Sequence, residues 1–297
     1  MSNLTILCLG RNGQLAQSLK HQCPTTITLI QLGHKQLSYD FATLITLLSN
    51  QAPDVIINTA AFTNVEAAES DDSCFTVNGE LVELIGLAAQ QLQVPLLHIS
   101  TDYVFAGDNQ QGYAPNDATA PINNYGRSKL MGEQRLLELP TIHGAIIRTS
   151  WLYSPFGHNF FKTMLGKFKA GQAVQVINDQ YGCPTSALGL ATAVLDLATQ
   201  QAHKPTAVQL MHWADQGTTT WYGFACEIAQ QAYAARIISF KSDVKPVSSD
   251  QFPTKARRPH YSILLCTHDK TMLKTPLRQW QHSIAECIGY FKNVQEQ

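Results

Sequence analysis

The chain has 297 residues, of which 44% are apolar, 14% charged and 9% aromatic, and 21 Lys and Arg against 22 Asp and Glu leave a formal net charge of −1. Ordinary apolar content excludes a disordered chain, and the lack of net positive charge excludes a nucleic-acid binder that works by bulk electrostatics. The length fits one large or two moderate domains with a real core, and no apolar run approaches the roughly 18 residues of a membrane span.

The N-terminus, MSNLTILCLGRNGQ, has no basic region before its apolar run and no small-residue cleavage site, so it reads as a first strand and a turn rather than a signal peptide. A cytoplasmic protein is therefore expected. Thr5 to Leu9 forms a buried strand ending at Gly10, and Gln14 to Lys20 has helical spacing through Leu15, Ala16 and Leu19. Thr26 to Leu32 is a second strand, Phe41 to Leu48 a helix, and Asp54 to Asn58 a third strand. Val77 to Gln91 reads as a helix and Pro95 to Ile99 as a fourth strand. A polar loop over Gly107 to Pro121 precedes a helix over Tyr125 to Leu139, and Ala145 to Ile147 makes a fifth strand. Strands alternating with helices at this spacing predict an α/β fold with a Rossmann-type doubly wound parallel sheet.

Beyond Trp151 the rhythm loosens. Helices are predicted over Asn159 to Ala170, Ser186 to Thr199, Thr219 to Ala234 and Gln279 to Phe291, with short strands at Val208 to His212 and Ile263 to Cys266. The chain thus divides into a dinucleotide-binding domain over 1–150 and a smaller α/β part over 151–297, mainly for substrate, with segments returning to the first domain. Seven cysteines at irregular spacing, without a C-x-x-C, oppose a disulfide framework or zinc site. Cys8 and Cys266 sit in apolar runs, where a thiol behaves as a small hydrophobe. The histidines show no metal-ligand spacing either, so no metal is expected, and His98 in PLLHIS reads as a hydrogen-bonded strand residue.

Two segments carry chemistry. Gly10-Arg11-Asn12-Gly13-Gln14-Leu15-Ala16 lies between a strand and a helix, where a glycine turn and free helix N–H groups suit a pyrophosphate. Gly10, Asn12, Gly13, Gln14 and Leu15 are its candidate cofactor contacts. The second strand ends in Leu32-Gly33-His34-Lys35 without the carboxylate that NAD sites place there. Lys35 could accept a 2′-phosphate or be a solvated turn residue; the reading leans to NADPH, with NADH as the alternative, and sets Asp40 near the adenine side.

In Tyr125-Gly126-Arg127-Ser128-Lys129 the tyrosine and lysine share one helix face. Reduction of a carbonyl leaves an alkoxide that a phenol can protonate. An ammonium about 6 Å away at an effective dielectric of about 20 favours the phenolate by about 3 kcal/mol, on the order of two pKa units. The spacing alone arises easily by chance. Its context adds weight, since the fourth strand ends in Ser100-Thr101-Asp102 and a hydroxyl there faces the ligand crevice. Thr101, Tyr125 and Lys129 are the candidate catalytic residues.

With these pieces in order the chain resembles the extended short-chain dehydrogenase/reductases, and among them the dTDP-4-dehydrorhamnose reductases. The resemblance rests on Gly10-x-x-Gly13-Gln14, NTAAFTNVEAAESD from Asn58, Val77-Asn78, HISTDYVFAG from His98 and Tyr125-x-x-x-Lys129. It continues with RTSWLYSPFGHNFFKTM from Arg148, DQYGCPTSA from Asp179 and ARRPHYSIL from Ala256. It implies reduction of the 4-keto group of dTDP-4-dehydro-L-rhamnose to dTDP-L-rhamnose with NADPH or NADH. By position Thr101, Tyr125 and Lys129 match the family's catalytic trio, and Asp102, Tyr103 and Trp151 match residues near the sugar. Ala60, Ala61, Phe62 and Thr63 match the loop beside the cofactor, where the family commonly has Tyr in place of Phe62. Asn159 matches a substrate approach. Arg257 and Arg258 match the segment that closes over the nucleotide sugar, where they could pair with its pyrophosphate or be exposed loop arginines. Some members hold magnesium at a dimer contact through a first-helix glutamate; here that stretch reads Ala16-Gln17-Ser18-Leu19, so neither metal nor that dimer carries over, and a homodimer of another kind is left open. A reductase or epimerase of another nucleotide sugar, or a non-catalytic nucleotide-binding subunit, are the competing readings.

Overall fold

The computed structural model describes residues 3–266 and 274–295. Its frame is a six-stranded, wholly parallel sheet built from β1 (Leu4–Leu9), β2 (Ile27–Leu32), β3 (Val55–Asn58), β4 (Leu96–Thr101), β5 (Gly144–Thr149) and β6 (Gln209–His212). The spatial order is β6-β5-β4-β3-β1-β2. Every residue of β3 and β5 is buried, as expected of strands covered on both faces. The chain leaves β1 for β2 on one side and returns to β3 on the other. The connections diverge at the carboxyl ends of β1 and β3, and a crevice opens there.

One face of the sheet is covered by α1 (Gln14–Gln22), with α7 (Ala187–His203) beside it; Leu15, Ala16 and Leu19 pack with Leu190, Ala191 and Val194. The other face carries α2 (Phe41–Ser49), α4 (Leu81–Leu92) and α5 (Asn124–Leu137) through Leu44, Leu48, Ile85 and Leu136, with the single-turn α3 (Val65–Ala68) between α2 and α4 in the chain. A separate aromatic core joins α6 (Phe160–Lys169), α8 (Trp221–Ala234) and α9 (Trp280–Gln295) through Phe161, Phe168, Phe224 and Trp280. Thus α7 and β6, from the second half of the chain, complete the sheet of the first. Among the described residues no helix is long and apolar enough to cross a membrane.

Two features depart from the sequence-based expectation. No strand covers Ile263 to Cys266. The pairing there is Tyr261–Ser262 against Tyr181–Gly182, followed by a single bridge between Leu264 and Tyr113. Further, the helix expected from Val77 begins as a short turn over Ser73–Phe75 and widens into a π-helical segment over Thr76–Glu80 before α4. This widening accompanies the buried Asn78, whose carboxamide serves the neighbouring loop, and π segments recur at such sites. The polar loop after Gly107 is fixed in place. The Tyr113 hydroxyl accepts the N–H groups of Gly107, Asp108 and Asn109, and its ring stacks on Phe105 at 4.2 Å.

Candidate active site

The glycine turn closes the crevice from below. Gly10 sits at φ +112°, and a Cβ there would lie 2.3 Å from Thr59 Oγ1, so only glycine suits the position. Gly13 caps α1 without a side-chain hydrogen bond, which leaves first-turn N–H groups free of intrahelical partners. A Cβ on Gly13 would meet nothing within 4 Å. Asn12, Gly13, Gln14 and Leu15 line a cleft of about 450 Å³. Gln14 also bonds the Leu152 carbonyl and Ser154, which ties the turn to the second half of the chain. Gly10→Ala is expected to destabilise the fold by about 1–3 kcal/mol, read as a lower Tm in thermal unfolding, because strain and overlap act together.

Of the next loop, Ala61 and Thr63 border the cleft. Ala60 and Phe62 stand behind it, held by their backbones: the Ala60 N–H donates to Asn58 Oδ1 at 3.1 Å, and Asn78 grips both the N–H and the carbonyl of Phe62. Asn78 also donates to Ser128 on α5, so one buried amide joins the cofactor loop to the catalytic helix. Lys35 is exposed on a 3₁₀ turn over His34–Gln36 and does not border the cleft. Asp40 is exposed and does not border the cleft; its carboxylate accepts the hydroxyl and N–H of Thr43 and caps α2, and these bonds lower its pKa.

Thr101, Asp102, Tyr103, Tyr125 and Lys129 converge on the cleft. The Thr101 hydroxyl donates to Asp102 Oδ1 at 3.0 Å and accepts the Tyr103 N–H. Asn123 caps α5 by accepting the Gly126 N–H, and a Cβ on Gly126 would lie 2.2 Å from the Tyr103 carbonyl. The helix therefore presses on the end of β4 and brings Tyr125 to Thr101. Lys129, one turn on, is buried and donates to the Ile99 carbonyl at 2.6 Å.

The electrostatics differ from the simple ion–phenol expectation. Enclosure by protein pushes the Tyr125 phenol up to about 12; the Thr101 hydroxyl opposes this and the Asp102 carboxyl adds to it. Burial thus outweighs any acidification by Lys129, whose amine is directed at a backbone carbonyl. Burial also brings Lys129 down to about 8, with Glu133 pulling the other way, and raises Asp102 to about 7.

The far wall comes from Thr149, Ser150, Trp151, Leu152, His158 and Trp221. Trp151 has φ +44°, donates its indole N–H to Ser262 Oγ at 3.1 Å and stacks on Trp221 at 3.6 Å. Trp221 escaped the sequence reading, because its place follows from this stack and not from any local motif. Asn159 does not border the cleft: its carboxamide caps α6 and donates to the Ser154 and Phe156 carbonyls. The two late arginines separate. Arg258 borders the cleft and pairs with Glu66 at 3.0 Å. Arg257 is exposed, and its carbonyl accepts from Asn123. Among the described residues no group of three or more His, Cys, Asp or Glu is placed to hold a metal.

A family model described as RmlD substrate binding domain matches residues 4–293. The chain is 36% identical over 292 residues to dTDP-4-dehydrorhamnose reductase of Escherichia coli strain K12, covering 96% of this chain and 97% of that one. It is 36% identical over 285 residues to the enzyme of the same name from Sinorhizobium fredii, covering 94% and 95%. Its fold is similar to the crystal structure of dTDP-4-dehydrorhamnose reductase from Bacillus anthracis in complex with NADP, with TM-score 0.86, 30% identity, and 97% of this chain and 99% of that one covered. With the cleft formed as described and these likenesses running along nearly its whole length, the chain belongs to the dTDP-4-dehydrorhamnose reductase family of oxidoreductases.

Proposed function

We propose that the protein reduces the 4-keto group of dTDP-4-dehydro-L-rhamnose to dTDP-L-rhamnose with NADPH. The observation that carries this reading is one cleft holding both the uncapped, glycine-flanked start of α1 and the Thr101–Tyr125–Lys129 group. The free N–H groups and the open side of Gly13 fit the pyrophosphate of a dinucleotide, and Asn12 to Leu15, Ala61 and Thr63 would hold it. When bound, the nicotinamide supplies a hydride. The lean to NADPH over NADH rests on the absence of a carboxylate at the end of β2 and on the NADP bound in the Bacillus anthracis relative. The parts divide accordingly: residues 1–150 carry most cofactor contacts, and Trp151, Trp221 and Arg258 face the nucleotide sugar.

Tyr125 is the proton donor to the sugar O4. A phenol at about 12 stays protonated at neutral pH, and the alkoxide left by hydride addition is more basic still, so transfer runs downhill. Thr101, turned from Asp102 to the keto oxygen, offers that oxygen a second donor. Lys129, charged near neutrality, stabilises the phenolate left behind. Arg258 uses Nη2 on Glu66, while its Nε is buried without a partner among the described residues, and a diphosphate oxygen is the acceptor this arrangement fits.

Purified protein given NADPH and the keto sugar should consume the reduced cofactor without any partner protein. A panel of nucleotide sugars varied in base and sugar should show the dTDP-rhamnose pair preferred. No consumption with an active upstream preparation would overturn the proposal, and equal turnover of another base or sugar would move it to a different nucleotide sugar.

A further inference from the structure

We propose that His98 is a positioning residue for Lys129: with its single proton fixed on Nε2 by Asn58, the imidazole sets where the buried amine points and how readily it holds its own proton. The inference rests on the reading of Lys129 as part of the reducing site. Asn58 ends β3 and lies in register with His98 on β4. Its Oδ1 accepts the Ala60 N–H at 3.1 Å, which fixes the orientation of the amide, so Nδ2 donates to His98 Nδ1 at 3.1 Å. A neutral imidazole carries one N–H, and with Nδ1 accepting, that proton lies on Nε2.

His98 is fully buried, and desolvation, reinforced by the charge of Lys129, holds it neutral far below its usual titration. Its Nε2 stands 3.4 Å from Lys129 Nζ. An imidazole N–H aimed at an ammonium is unfavourable, whereas aimed at a neutral amine it meets a lone pair. The contact therefore favours the neutral amine and leaves the Ile99 carbonyl, at 2.6 Å, as the amine's acceptor. Of the groups that carry or change charge, Tyr125 and Asp102 border the same cleft as Lys129, Glu133 lies one turn further along α5, and Arg148 on β5 is held by Glu133. Glu133 favours the ammonium but is itself paired with Arg148 at 2.6 Å. His98 is thus the neighbour able to shift Lys129 through the direction of a single N–H.

Side-chain nitrogen NMR of the full-length protein should show His98 as the neutral Nε2–H tautomer at neutral pH. In Asn58→Asp one carboxylate oxygen keeps the Ala60 N–H and the other draws the His98 proton to Nδ1, which turns Nε2 into an acceptor for the ammonium. The proton affinity of Lys129, read from the carbon signal beside Nζ (assigned by its loss in Lys129→Met), should then rise about tenfold. The corresponding limb of the kcat/KM profile should move to higher pH with it. His98→Gln, whose amide oxygen can also accept from Nζ, should shift both in the same direction. A proton on Nδ1 in the wild-type protein, or a Lys129 titration unmoved in both variants, would overturn the inference. Both NMR readings are made without substrate, so a wild-type protein that shows them yet reduces no keto sugar would contradict the proposed function alone.

Discussion

Tyr125→Phe is expected to lower kcat for keto-sugar reduction by about 10²- to 10⁴-fold, the usual contribution of a positioned general acid. Affinity for NADPH, measured by titration of cofactor fluorescence, should stay within a few-fold of wild type. The split follows from where the hydroxyl stands. Thr101 and Tyr125 meet above the end of β4, whereas the pyrophosphate contacts proposed above belong to the start of α1, and the ring itself is retained. The ring also meets Tyr103 edge to face at 5.8 Å, a contact that phenylalanine preserves. A parallel loss of cofactor binding would assign the hydroxyl a structural role.

Arg148→Ala should have the largest effect on stability, about 3–5 kcal/mol, measured as a fall in the midpoint of chemical or thermal unfolding. The Arg148 and Glu133 side chains are 3% and 1% exposed, and two parallel bonds of 2.9 and 2.6 Å join them. The guanidinium also donates to the Pro115 carbonyl and lies 4.9 Å over the Phe105 ring, so it fastens α5 and the loop after β4 to β5. Removing it strands a buried carboxylate. Replacing both members by apolar residues of similar size, Arg148→Met with Glu133→Leu, should cost much less than the single change, because no charge remains unpaired.

The parts of the fold that repeat along the chain were legible in the sequence. Continuous apolar strands such as Ile56-Ile57 and Ile146-Ile147 announce a sheet buried on both faces, and Leu15, Ala16 and Leu19 mark the inner face of α1. Two-residue strands such as Thr185–Ser186 and Tyr261–Ser262 contain too few side chains to show a period, which is why the late strand was expected at Ile263 to Cys266 instead. In the site, Thr101, Tyr125 and Lys129 could be named from spacing and strand order, whereas their titration could not. It depends on how much protein encloses the phenol and on which carbonyl the amine meets. Asp40 and Asn159 look the same in sequence whether they cap a helix or touch a ligand, and the fold uses both as caps. Trp221, seventy residues beyond Trp151, enters the cleft only through tertiary stacking.

The central claim is delivery of hydride to C4 of the sugar with the proton drawn from Tyr125. Its most direct measurement is a single turnover of wild-type protein with NADPH deuterated on the transferred position, followed by NMR of the sugar product. Deuterium should appear at C4 of dTDP-L-rhamnose, and under the same conditions Tyr125→Phe should form almost no labelled product. Label at another carbon, or cofactor oxidation without a labelled sugar, would contradict the account.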